Sequence, residues 1–204
     1  MNLQTKKTLV RVLIIAAVLI FGFILLRAFY YAPNDEVQIS PEAVEPLSNE
    51  AIAIKSFSGT PGKLSIPKIK VETKIQEVGV TNKGNMAAPN NFVDVGWYKY
   101  GTIPGNVGSA VIAGHVNNGI ALPAVFSNLK DLVEGDDIYI TNDTGETLHF
   151  KVTGSKIYDY NAKADEVFAG DDSRTLRLIT CSGVWVKEFR THNKRLVVSA
   201  VLSE

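Results

Sequence analysis

The sequence predicts an all-β domain, a closed or nearly closed barrel with one or two short helices, behind a single N-terminal transmembrane helix. Three observations carry this expectation. Short runs in which apolar residues alternate with polar ones recur from Leu64 to Leu202. Turn residues punctuate them throughout, as expected of strands that close on one another. The one long apolar stretch, Val12 to Leu26, lies at the N-terminus outside this pattern.

That stretch, VLIIAAVLIFGFILL, follows Lys6, Lys7 and Arg11. As a helix its uncharged core rises only about 22 Å, short of a bilayer. Arg11 and Arg27 can snorkel, however, and Leu9 to Tyr31 supplies the roughly 20 residues a span requires, with Tyr30 and Tyr31 at the interface. A cleaved signal peptide shares the basic start, but the exit Phe29-Tyr30-Tyr31 lacks the small residues of a cleavage site. Residues 1–8 therefore read as a cytoplasmic N-terminus and 9–31 as an uncleaved signal anchor. Asp35, Glu36, Glu42 and Glu45 follow the span, which places the remainder outside the cell, on a single-pass protein of the cell membrane.

Residues 32–62 read as an extracellular linker. Pro33, Pro41, Pro46 and Pro61 interrupt any helix there, so the segment is expected to hold the domain off the membrane, with Ala51 to Phe57 the part able to pack on it. The domain itself spans 63–204. With 204 residues, 46% of them hydrophobic, the chain has material for one ordinary core. Its 21 basic and 21 acidic residues cancel, so bulk charge points to no nucleic acid partner.

In LSIPKIKVETKIQEV (64–78) the apolar positions Leu64, Ile66, Ile69 and Val71 give strands, with Pro67 marking an edge or a bulge. Gly79 to Asn91 reads as a loop. Phe92 to Tyr100 is an aromatic strand segment closed by the turn Gly101 to Gly105. SAVIAGHVNNG (109–119) holds a short strand at Val111 and Ile112, a sharp exit at Gly114, and His115 before an Asn-Asn-Gly turn. Phe126, Leu129 and Val133 fit one face of a short helix stopped by Gly135. A hairpin follows, Asp137–Thr141 with Thr147–Thr153, in which Leu148, Phe150 and Val152 share a face and His149 points to solvent. Asn161 to Asp172 is polar with one helical turn. RTLRLITCSG (174–183) is a strand running into a Ser-Gly turn, and SGVWVKEFRTHNK (182–194) reads as a loop carrying Val184, Trp185 and Val186. RLVVSAVL (195–202) is the last strand, with Leu196, Val198, Ala200 and Leu202 on one face and Arg195, Val197, Ser199 and Val201 on the other.

Chemistry enters through Cys181, the only cysteine in the chain. A free cysteine often packs as a small hydrophobe, and a histidine in a loop is often a bystander. Outside the cell, however, an unpaired thiol invites oxidation, so its presence calls for burial or use. A thiol becomes nucleophilic beside a cation or an imidazole. His115, at the end of its own strand, is the candidate partner and His192 its rival. Val184 and Trp185 beside the thiol are positioned to wall a groove for an extended peptide. Three histidines and one cysteine lack metal-ligand spacing and the carboxylates are scattered, so no metal and no cofactor is expected.

Taken in order, an N-terminal anchor, SAVIAGHVNNG, LITCSG and RLVVSAVL resemble the sortase family, cysteine transpeptidases of Gram-positive and related cell surfaces. Gly96-Trp97-Tyr98 and the run PGNVGSA before the histidine look most like class F. The family pattern TLxTC is met except that Arg177 replaces its first Thr. The resemblance implies a sortase-type barrel over roughly Lys63 to Glu204, Cys181 as nucleophile, His115 as the acid protonating the departing amine, Arg195 as the cation beside the oxyanion, and Thr180 as a substrate contact. It implies cleavage of an LPxTG-like sorting signal of secreted surface proteins between Thr and Gly, through a thioester, with transfer to an amine of a cell-wall precursor or another protein. Two other readings are a cysteine peptidase of cell-surface peptides, disfavoured by His preceding Cys in the chain, and a non-catalytic tethered barrel that binds a surface polymer.

Overall fold

Alternating apolar residues need a common interior, and eight strands supply it by closing into a barrel. In the computed structural model, which describes residues 3–32, 36–37, 57, 59–170 and 172–203, the elements run α1 (Leu3–Tyr30), β1 (Glu36–Val37), β2 (Pro61–Ile66), β3 (Val71–Val78), β4 (Met86–Ala87), β5 (Val95–Tyr98), β6 (Gly108–Ala113), β7 (Asp137–Asn142), β8 (Thr147–Asp159), α2 (Asp165–Phe168), β9 (Arg174–Val186) and β10 (Thr191–Leu202). The barrel order is β10-β8-β7-β2-β3-β5-β6-β9, closed, with β3/β5 and β6/β9 parallel and the other pairs antiparallel. Strands β1 and β4 form a separate two-stranded sheet.

Both faces of β6 are covered, which is why its six residues are all buried. Ala110 and Ile112 join Leu64, Ile66, Leu178 and Val198 in the barrel interior. Val111 and Ala113 face outward into a second cluster with Ile179, Val197 and the α2 residues Val167 and Phe168. Ser109 fixes α2 there by donating its hydroxyl to Val167 O (2.7 Å). The expected two-faced pattern of the last strand holds: Leu196, Val198 and Ala200 are interior, Val197 exterior.

Leu9–Arg27 within α1 is long and apolar enough to cross a membrane by length and composition. Its side chains, Leu13, Leu19 and Phe23 among them, stand exposed. Most of the expected linker, including Pro33, Asp35, Pro41, Glu42, Glu45 and Pro46, lies outside the described residues. The parts that are described do not stand clear of the barrel. Tyr31 bridges Asn91, β1 pairs with β4, and Phe57 is buried in the barrel core.

Four local expectations change. Pro67 marks neither an edge nor a bulge: it opens a 3-10 turn, Pro67–Ile69, that ends on Lys70 in the left-handed region (φ 55°) and joins β2 to β3. The expected helix over 126–133 is a 3-10 turn at Leu129–Asp131, with Phe126 and Leu129 buried and Val133 exposed. The expected loop 79–91 contains β4. The largest change is at Ser182-Gly183, which does not turn. There β9 continues to Val186 and forms a long hairpin with β10, so Val184, Trp185 and His192 are strand residues. The reason is a bulge: Gly183 takes φ 77°, the register shifts between His192 and Lys194, and the Val184 N–H donates to Asn193 Oδ1 (2.8 Å).

Candidate active site

Strand β9 is flanked over its first half by β6 and over its whole length by β10. The parallel register with β6 runs from Gly108↔Arg174 to Ala113↔Ile179. Two contacts carry it one step further: the Gly114 N–H donates to Ile179 O (3.0 Å), and the Thr180 hydroxyl donates to Gly114 O (2.8 Å). Extending that register to the next residue sets His115 abreast of Cys181. On the other side Arg195 is the direct cross-strand partner of Cys181. Cross-strand partners share a face and adjacent strands lie about 4.8 Å apart. Cys181 and Arg195 thus face each other across β9 and β10 at one rim of the barrel, and His115 follows two residues after the end of the adjacent β6.

Local chemistry orients each of them. Gly114 admits no side chain, because a Cβ there would lie 2.5 Å from the Phe126 ring. The chain can therefore turn tightly out of β6 and deliver His115 to the rim. The His115 ring packs edge-on to Phe92 (5.1 Å between centroids), and its Nε2 lies 3.1 Å from Pro89 O. A carbonyl oxygen only accepts, so Nε2 carries hydrogen in this contact.

Arg195 is 1% exposed, so its charge is held by hydrogen bonds rather than water. Nη1 donates to His192 O (2.9 Å) and Lys194 O (2.8 Å), and Nη2 donates to Thr191 Oγ1 (2.9 Å). Its Nε–H is buried with no partner among the described residues. A fixed guanidinium with an unspent donor, on the same face as the sulfur, suits a developing negative charge.

A cavity of about 250 Å³ opens at the thiol, lined by Cys181, Thr180, Ser182, His192, Val116 and Phe126 among others. A larger cleft of about 350 Å³, between Ile69–Thr73 and Pro123–Asn128, contains none of the three rim residues. Thr180 lines the cavity but is buried, its hydroxyl committed to Gly114. Val184 and Trp185 are exposed on the hairpin beyond the cavity, and Trp185 packs edge-on to His192 at 5.4 Å. His192 does line the cavity, but burial and then the Arg195 charge hold its pKa below the ordinary histidine value, favouring the neutral ring. His149 lies far from this rim in the fold, paired with Asp137 (2.6 Å) on β7 and stacked on Tyr139. Among the described residues no group of three His, Cys, Asp or Glu side chains is placed to hold a metal ion.

Pro89 and Thr191, which hold the imidazole and the guanidinium, escaped the sequence reading. A backbone acceptor in a loop leaves no side-chain signal, and a threonine four residues before Arg195 becomes a partner only once that stretch is a strand.

Comparison with known proteins bears on the family and the fold. The sortase-domain family profile matches residues 64–203. No curated protein matches the chain by sequence. Among solved structures, the lid mutant of sortase A from Corynebacterium diphtheriae aligns at 27% identity and a TM-score of 0.56, covering 74% of this chain and 73% of that one. A sortase D5 transpeptidase from Clostridium perfringens aligns at 26% identity and 0.53, covering 71% and 79%. Sortase A of Listeria monocytogenes, at 20% identity and 0.54 with 72% and 89% covered, shares the fold. With its profile match across the barrel and this barrel topology, the chain belongs to the sortase family.

Proposed function

We propose that this chain is a membrane-anchored sortase that cleaves an LPxTG-like sorting signal between Thr and Gly and transfers the acyl group to an amine. The observation that carries the reading is that Cys181 and Arg195 are direct cross-strand partners while His115 leaves the end of β6, the strand on the other side of β9. In the first step Cys181 gives its thiol proton to His115 and its Sγ attacks the threonine carbonyl carbon; the peptide C–N bond breaks, and the glycine amine leaves with that proton from His115. The oxyanion formed on the way is stabilised by Arg195, whose Nε–H is not used within the protein. In the second step an amine attacks the thioester, gives its proton back to His115 and releases the Cys181 sulfur.

The acceptor class is an amine of a cell-wall precursor or of another surface protein, and the donor a secreted surface protein. Thr180, Val184 and Trp185 belong to the substrate path in this reading: Thr180 as cavity wall, the other two as the exposed flank of the hairpin. The class F likeness rests on Gly96-Trp97-Tyr98 and residues 104–110. Residues 1–8 lie in the cytoplasm, 9–31 span the membrane, 32–62 lead to the domain and 63–204 form it outside the cell; the exposed apolar helix supports this placement.

The test is product partition. The full chain, supplied with a sorting-signal peptide, is expected to yield a conjugate when an amine is added and slow hydrolysis without it. Hydrolysis at the same rate in both conditions would instead identify a peptidase. No turnover of any signal peptide, with activity in cells intact in Cys181→Ala, would identify a binding module.

A further inference from the structure

The chain leaving the apolar helix is bonded to the loop that holds His115. Tyr31 forms an antiparallel bridge with Asn91, and the Ala32 N–H donates to Asn90 O (3.0 Å). Further on, Glu36 and Val37 pair with Ala87 and Met86. Pro89 lies between these two attachments, and its carbonyl receives His115 Nε2. The barrel side holds both ends of this loop: the Ala87 N–H donates to Gly79 O (2.9 Å), and Met86 bridges Val80 and is fully buried in the cluster of Val78, Tyr98 and Val111. Gln76 exchanges hydrogen bonds with Asn90 (3.0 and 3.2 Å), and Asn91 donates to Asp94 (2.7 Å). At Met86–Ala87 the strand β1 adds a further partner on the other edge.

We infer that Tyr31, Ala32 and the strand Glu36–Val37 form a positioning element of the active site, acting through Pro89 on the imidazole of His115. The inference rests on the assignment of His115 made above. Each backbone hydrogen bond a loop makes to a packed neighbour shifts its closed-to-open ratio by about two- to tenfold, so the contacts from Tyr31, Ala32 and β1 add to those the barrel already makes. With the N-terminal contacts in place the loop keeps the Pro89 carbonyl at Nε2 and so fixes the ring orientation and the Nε2–H. The membrane helix is then part of the scaffold of the site, and the catalytic rim lies next to the point where the chain leaves the helix.

Ala32→Pro tests this in the full chain held in a lipid nanodisc. Proline removes the one N–H that reaches Asn90 and suits the extended backbone expected of Tyr31 before it. Three quantities are read: the ¹⁵N imidazole spectrum of His115, assigned with His115→Ala; kcat and KM for a sorting peptide; and the rate at which iodoacetamide alkylates Cys181. The variant is expected to lose the single Nε2–H signature, to lower kcat by about three- to tenfold at an unchanged KM, and to slow alkylation. Ala32→Gly, which keeps the N–H, is expected to restore all three. An unchanged His115 spectrum in Ala32→Pro overturns the inference, whether or not kcat falls, and so does a changed spectrum with unchanged alkylation. If the unaltered chain turns over no sorting peptide, the sortase reading fails instead, while the spectrum and the alkylation rate still decide the role of the Ala32 contact.

Discussion

Strand β9 behaves as two different objects on either side of Cys181. From Thr175 to Ile179 it has a neighbour on each edge and four of its five residues are buried. From Ser182 to Val186 only β10 remains beside it, and Val184 and Trp185 are exposed. The change falls where β6 ends at Ala113 and the chain turns away through Gly114. The thiol thus sits where the sheet loses a strand, and His115 follows two residues after that strand's end. Scaffold and reactivity meet within one strand because half of it is held in place by neighbours the other half lacks.

Substitutions can break that contrast at different points. The largest effect is expected at the boundary. Cys181→Ala should reduce transpeptidation at least about a thousandfold while the thermal midpoint stays where it was, measured by product formation and calorimetry. Next comes the scaffold half. Leu178→Ala empties a fully buried position of the barrel interior and should cost about 2–5 kcal/mol in denaturant unfolding, whereas Trp185→Ala on the exposed half should stay within about 0.5 kcal/mol. Equal losses from the two would erase the contrast. Arg195→Lys should then lower kcat about ten- to a hundredfold with KM for the peptide unchanged, since an ammonium keeps the charge but not the forked donors.

The smallest expected effect is a pH dependence of stability at His192. Its folded pKa lies below the ordinary value of 6.5, so its contribution is present above that value and is lost as pH falls through the folded pKa. Removing the titration with His192→Gln should leave the Tm difference from the parent constant above about pH 7 and move it by about 1–2 °C in favour of the variant at acid pH. An acid-side shift of opposite sign would mean that the charged ring is the favoured one.

Much of this was legible in the sequence, for a physical reason. The strand carrying Leu176, Leu178 and Thr180 and the one carrying Leu196, Val198 and Ala200 are buried on the side their alternation indicates, because one barrel interior imposes period two on every strand. His115 could be read as lying just past a strand end because Gly114 precedes it, whereas Cys181, read as a strand end, lies inside β9. The Ser182-Gly183 pair was misleading. The same glycine freedom that makes a turn also makes a bulge, and only Asn193 across the hairpin decides between them. The helix expected over 126–133 failed because Phe126 and Leu129 are drawn into the barrel interior, while Val133 has no core to reach. Arg195 was placed by the strand pattern, but the carbonyls of His192 and Lys194 that hold it are backbone groups, and no side-chain pattern encodes them.

Intact-mass analysis of the full chain mixed with an LPxTG-like peptide, stopped before any amine is added, tests the central claim most directly. The account predicts a gain equal to the peptide up to its threonine, located on Cys181 by fragmentation, absent from Cys181→Ala and discharged when an amine is supplied. Cleaved peptide with no such adduct, or an adduct that amine cannot discharge, would contradict it.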